Sequence, residues 1–180
     1  MPTERSRIAK LAGAVAIALC VADVSAAPDL GEPVAADDLV GLSITIGPDG
    51  RGLPPGRGTA IDGVDLYVDR CASCHGVRGQ GRTGPALAGG AGTLAGKAPV
   101  RTVGSYWPHA TTLFDYIRRA MPYDNPMSLT NEQVYQLTAY VLWLNGIVGR
   151  DEVIDARSLP EVKMPNRAGF VNAWDARDRH

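Results

Sequence analysis

The sequence predicts an all-α domain set between an extended N-terminal arm and a C-terminal tail. Three observations predict it. Apolar residues recur at helical spacing in three segments, no stretch of any length alternates apolar and polar residues as a half-buried strand would, and glycine- and proline-rich runs separate the periodic segments. The 180 residues suffice for one core, since single domains usually run to about 100 to 150 residues. Lys and Arg number 18 against 19 Asp and Glu, with no basic run or aromatic-interleaved basic stripe. Nucleic acid is therefore not an expected partner.

Residues 1–26 read as a secretory signal peptide. A basic start (Arg5, Arg7, Lys10) precedes an apolar run from Leu11 to Ala22, and Val24-Ser25-Ala26 suits cleavage before Ala27. The run is shorter than the roughly 20 apolar residues a spanning helix needs, and Asp23 ends it. The mature chain is expected to lie outside the cytoplasm, in the periplasm of a bacterium, with no membrane span. Cleavage removes Cys20 and leaves only Cys71 and Cys74. A disulfide closing so short a ring would constrain almost nothing in the unfolded chain.

Residues 27–57, with GPDGRGLPPGRG and one short apolar run from Leu39 to Ile46, read as an extended arm. The domain is expected over 58–147. Its first helix carries Ile61, Val64, Leu66, Tyr67 and Val68 and ends at CASCHG. Residues 76–105 are too rich in glycine for one regular element, though Leu87 and Leu94 can fix the loop to a core. A second helix spans Thr111 to Arg119, with Leu113, Tyr116 and Ile117 on one face. Met121-Pro122 stops it, because the residue before proline is pushed out of helical geometry. The third begins at Thr130, where Thr130 and Gln133 fit a capping box and Leu129 and Val134 a hydrophobic staple. Val134, Leu137, Val141 and Leu144 form its stripe, and Gly146 suits a left-handed cap. Residues 148–180 are expected to be a tail packed on the domain.

Cys71-Ala72-Ser73-Cys74-His75 has the spacing for covalent c-type haem: two thiols add to the vinyl groups, and the adjacent histidine ligates iron. A zinc site would need four ligands, and there is no second ligand pair. A thiol oxidoreductase usually sets its Cys-x-x-Cys within an alternating α and β pattern, which is missing. One motif implies one haem c.

With this motif, Gly84-Pro85-Ala86-Leu87, the methionine followed by proline and the last helix LTAYVLWL, residues 58–147 resemble a class I c-type cytochrome. The resemblance implies three main helices around one covalently bound haem. It implies that the first and last helices cross at Gly63 and Tyr140, and that the Pro85 carbonyl accepts from Nδ1–H of His75. A thioether as sixth ligand favours ferrous iron and suits electron transfer. Met121, Met127, Met164 and His109 are the candidates in the mature chain. Met121 closes the second helix and sits where the family places its ligand. Met127 is tied to the next helix cap and reads as a wall of the pocket, Met164 lies beyond the last helix, and His109 would give a bis-histidine haem. Met127 and His109 stay open as alternatives. The cofactor-binding set is therefore Cys71, Cys74, His75 and Met121, with His75 and Met121 on the metal. Tyr106 and Trp107 are candidates for the haem border, and Arg78, Arg82 and Arg101 for its propionates.

GPDGRGLPPGRGT, VGSYWPHATTLFDYIRRAMPY and LPEVKMPNRAGF further resemble the cytochrome subunits of bacterial sulfite or sulfane-sulfur dehydrogenases. That resemblance implies a molybdenum-cofactor dehydrogenase as electron donor and a downstream cytochrome or oxidase as acceptor, in sulfur oxidation. The expected role is single-electron transfer by a subunit without a substrate site of its own. A haem enzyme or gas-binding cytochrome with an open sixth position is the alternative.

Overall fold

The computed structural model describes residues 31–39, 44–172 and Trp174; the expected signal peptide lies outside them, as do residues 27–30 and 40–43 of the arm and most of the last eight residues. The chain divides between Ser43 and Ile44. Before the division, the described residues contain one 3-10 turn, Ala36–Leu39. The rest of the described structure belongs to the second unit.

The regular structure of that unit is mostly helical, in line with the all-α domain expected from the sequence. Helix α1 is Ala60–Arg70, and α2 is the single turn Ala72–His75. Helix α3 is Ala110–Ala120 and α4 is Asn131–Leu144. Two short strands, β1 (Arg57–Gly58) and β2 (Ile154–Asp155), pair antiparallel with Gly58 opposite Ile154. Two residues are too few to leave an alternating pattern in the sequence.

Local signals set the helix ends. Gln133 N–H donates to Thr130 Oγ1 at 3.2 Å, and Thr130 N–H donates to Gln133 Oε1 at 2.9 Å, closing the expected box. A second box, unremarked in the sequence, joins Thr59 and Asp62 at the start of α1. At the other end of α4, Gly146 has φ +68°, its N–H donates to Trp143 O, and Ile147 N–H donates to Leu142 O at 3.1 Å. This is the paired bonding of a Schellman cap. Met121 follows α3 in extended geometry.

Helix α4 runs through the core, with Val134, Leu137, Tyr140, Val141 and Leu142 all buried. Helix α1 crosses it at Gly63, where a Cβ would run into the Gln136 carbonyl and lie 2.9 Å from Tyr140 Cβ. The rings of Tyr67 and Tyr140 pack at 4.8 Å beside this crossing. The buried face of α1 is thus Ala60, Gly63 and Tyr67. Ile61 and Val68, counted in its apolar stripe, point outward because the close approach uses the small residues instead. On α3, Phe114 is buried against Tyr135 at 4.5 Å. Tyr116 is half exposed and meets Trp107 edge-on at 5.7 Å.

The flanking segments contribute to the same core. Ile46 is buried, and Tyr135 Oη donates to Pro54 O at 2.9 Å. Ile154, Leu159, Val162 and Met164 are buried after the last helix. In the glycine-rich loop, Leu87 packs on the core cluster, while Leu94 does not join it. Among the described residues, no helix is long and apolar enough to cross a membrane.

Candidate functional site

The motif residues lie at the junction of α1 and α2. Cys71 N–H bonds back to Tyr67 O at 2.9 Å, and His75 N–H bonds to Cys71 O at 2.9 Å, so Cys71, Cys74 and His75 share one tight helical turn. The cysteines are not joined to each other. Burial, with a smaller contribution from Cys74, pushes the Cys71 thiol up to about 11, so it stays protonated at neutral pH. Cys74 is exposed.

The following loop folds back over the motif. Gly81 N–H donates to His75 O at 2.7 Å and Gly84 N–H to Cys74 O at 2.9 Å. A Cβ on Gly84 would stand 3.0 Å from His75 Cε1, so the loop lies flush against the imidazole. The Pro85 carbonyl then reaches His75 Nδ1 at 2.7 Å. Nδ1 carries the proton in that bond, which leaves Nε2 as the nitrogen available to a metal.

These residues border a cleft of about 1000 Å³. Leu87, Val103, Leu113, Ile117, Leu137 and Val141 supply an apolar lining, and Tyr67 and Trp107 add aromatic surface. Cys71, Cys74, His75 and Met121 all open on it. An apolar slot of this size, two thiols and a nitrogen donor on one turn, and a thioether from a separate loop form a donor set that fits haem c. Tyr67 steadies the motif by donating from its buried hydroxyl to Gly76 O at 3.0 Å; burial raises its pKa.

The other ligand candidates sit elsewhere. Met127 has φ +61° and is 62% exposed, and it is not part of the cleft lining. The expectation that it walls the pocket is corrected: the lining strap runs from Met121 to Asn125. Ser128 Oγ donates to Asn125 O at 2.7 Å, closing a turn that leaves Met127 outside. Met164 is buried in the core outside the cleft. His109 caps α3 with its Nδ1 buried and unbonded, also away from the lining.

Of the cationic candidates, Arg101 borders the cleft, whereas Arg78 and Arg82 do not. Trp107 lines it; Tyr106 stands behind, under the Arg101 guanidinium at 5.3 Å. Sequence reasoning missed Arg70, which lines the cleft and pairs with Asp69 at 2.7 Å. Its position directly before the first motif cysteine was the available signal. Also missed was Asn145. Its Nδ2 donates to Leu87 O at 3.1 Å and Val141 O at 2.9 Å, and its Oδ1 accepts from Gly89 N–H at 3.2 Å, tying the loop to the end of α4.

The family model described as Cytochrome c matches residues 60–145. Among solved structures, a chain of the sulfane dehydrogenase SoxCD from Paracoccus pantotrophus is similar, at 37% identity and a TM-score of 0.76, over 84% of this chain and 75% of that one. No curated protein matches.

Proposed function

The chain belongs to the cytochrome c family, and from that premise we propose an exported single-electron carrier that would hold one haem c, with His75 and Met121 as the residues that would ligate its iron. When bound, haem supplies a one-electron couple between ferrous and ferric iron. The observation that carries the proposal is the convergence of Cys71, Cys74, His75 and Met121 on one apolar cleft.

Each residue has a separate task. Cys71 and Cys74 would hold the group covalently from one helical turn, which fixes its edge against α2. The Pro85 carbonyl, 2.7 Å from Nδ1, orients the imidazole of His75 and sets its tautomer. Met121 would offer a neutral thioether from the segment after α3, a ligand that favours the ferrous state. Leu113, Ile117, Leu137 and Val141 exclude water and lower the local dielectric around the site. His75 and Met121 would together occupy the metal, so that no substrate would need to reach it.

We further propose that the donor is a molybdenum sulfane- or sulfite-oxidising dehydrogenase. The likeness to the SoxCD chain supports this, because it covers 84% of the sequence and so extends past residues 60–145 into the flanking segments. The basic and apolar leader, with its small-residue cleavage site, supports export to the periplasm.

The holoprotein, purified from cells competent in haem attachment, tests the proposal. A pyridine haemochrome assay should give one haem per chain, and carbon monoxide should leave the reduced Soret band in place. Two haems, or ready carbon monoxide binding, would overturn the carrier reading in favour of another stoichiometry or an open sixth site. Stopped-flow mixing with a purified sulfane dehydrogenase molybdenum subunit and its substrate should reduce the haem. No reduction would remove that donor and leave the carrier reading standing.

A further inference from the structure

Arg101 is exposed at the border of the cleft, at the start of a loop whose next four residues are buried, and among the described residues no carboxylate forms an ion pair with it. A lone exposed arginine ordinarily samples many rotamers in water. Here its guanidinium carbon stands 5.3 Å over the Tyr106 ring, in cation–π range. The loop beneath is braced: Ser105 Oγ donates to Val100 O at 2.6 Å, and Tyr106 N–H donates to Thr102 O at 3.0 Å.

Tyr106 is held in turn by the tail. Asn166 Nδ2 donates to Tyr106 O at 2.7 Å, and the Phe170 ring meets the Tyr106 ring edge-on at 5.2 Å. Just before them, Val162 and Met164 are buried in the core and fix where this part of the tail runs. Asn166 and Phe170 lie beyond residue 145, outside the segment matched by the family model. A chain of contacts therefore links the tail to the cleft: Asn166 and Phe170 hold Tyr106, and Tyr106 holds Arg101.

We propose that Asn166 and Phe170 are positioning residues, which seat Tyr106 so that Arg101 is kept at the cleft as a fixed positive charge favouring the reduced form of the bound group. The inference rests on the haem-binding reading above. A cation held near a redox centre disfavours the more positive oxidation state, and it does so most strongly where apolar walls limit screening. The same cation released to solvent is largely screened.

Midpoint potentials of the holoprotein, by spectroelectrochemical titration, test the proposal. Arg101→Ala should lower the potential. Phe170→Ala and Asn166→Ala should lower it by part of that shift, and Phe170→Tyr, which keeps an aromatic ring at this half-exposed position, should retain the wild-type value. In an Arg101→Ala background, Phe170→Ala should cause no further shift. Three results would overturn the proposal: an unchanged potential in Arg101→Ala, tail variants that lose thermal stability at constant potential, or a Phe170→Ala shift of full size without Arg101. The near-infrared sulfur-to-iron band, recorded on the same samples, reports the axial ligand separately. Its absence from the wild type would count against the Met121 assignment, while the potentials would still decide the role of the tail.

Discussion

Gly63→Ala tests the helix crossing on which the site is built. The added methyl would meet the Gln136 carbonyl oxygen and lie 2.9 Å from Tyr140 Cβ. The carbonyl is backbone in the middle of α4, so relief requires α1 to move away rather than a side chain to rotate. Replacing glycine in a helix gains up to ~1 kcal/mol in propensity. Overpacking typically costs ~1–3 kcal/mol, and contact with backbone belongs at the upper end. The net expectation is a loss of about 1–2 kcal/mol, or roughly 2–8 °C in Tm for a chain of this size. Urea and thermal unfolding of the holoprotein would read it. Gly149→Ala is the control, because a Cβ there meets nothing closer than 3.6 Å; its effect should stay within about 0.5 kcal/mol. Unchanged or increased stability in Gly63→Ala would refute the close crossing.

Three more outcomes follow from named contacts. Asn145→Ala removes the side chain that bonds Leu87 O, Val141 O and Gly89 N–H; it should cost about 2 kcal/mol and speed amide exchange at Gly89. Thr130→Ala deletes one half of the α4 capping box and should cost about 1 kcal/mol by chemical denaturation. Backbone N–H groups of Ser158 and Arg157 donate to Asp155 and hold its carboxyl below the usual range. A depressed folded-state pKa stabilises the protein above the unfolded value and loses that stabilisation as pH falls through the folded one. The stability difference between wild type and Asp155→Asn should therefore be constant above the ordinary carboxylate range and shrink in acid.

What could be read in advance was local. The haem motif, the Thr130 box and the Gly146 cap each depend on residues a few positions apart, and all three appear where spacing put them. The Pro85 to His75 contact came with the family resemblance, since a ten-residue loop leaves no periodic trace. Helix faces were less legible. The apolar faces of α1 and α3 are wider than the strips their neighbours cover, so the choice of Gly63 over Ile61, or Phe114 over Tyr116, is made by the neighbouring helix. Ile46, Ile154, Leu159 and Met164 enter the core from loops or from elements of two or three residues, too short for a period to mark a buried face. The cleft's cations depended on tertiary placement: Arg70 and Arg101 reach it, and Arg78 and Arg82 do not. The separation of Met121 from Met127 required a left-handed residue at Met127, an uncommon backbone state for a side chain of that size.

The central claim is that Met121 shares the metal with His75. The near-infrared sulfur-to-iron band of the ferric holoprotein measures it directly. The band should be present in the wild type, lost in Met121→Ala, and kept in Met127→Ala and Met164→Ala; its survival in Met121→Ala would contradict the account.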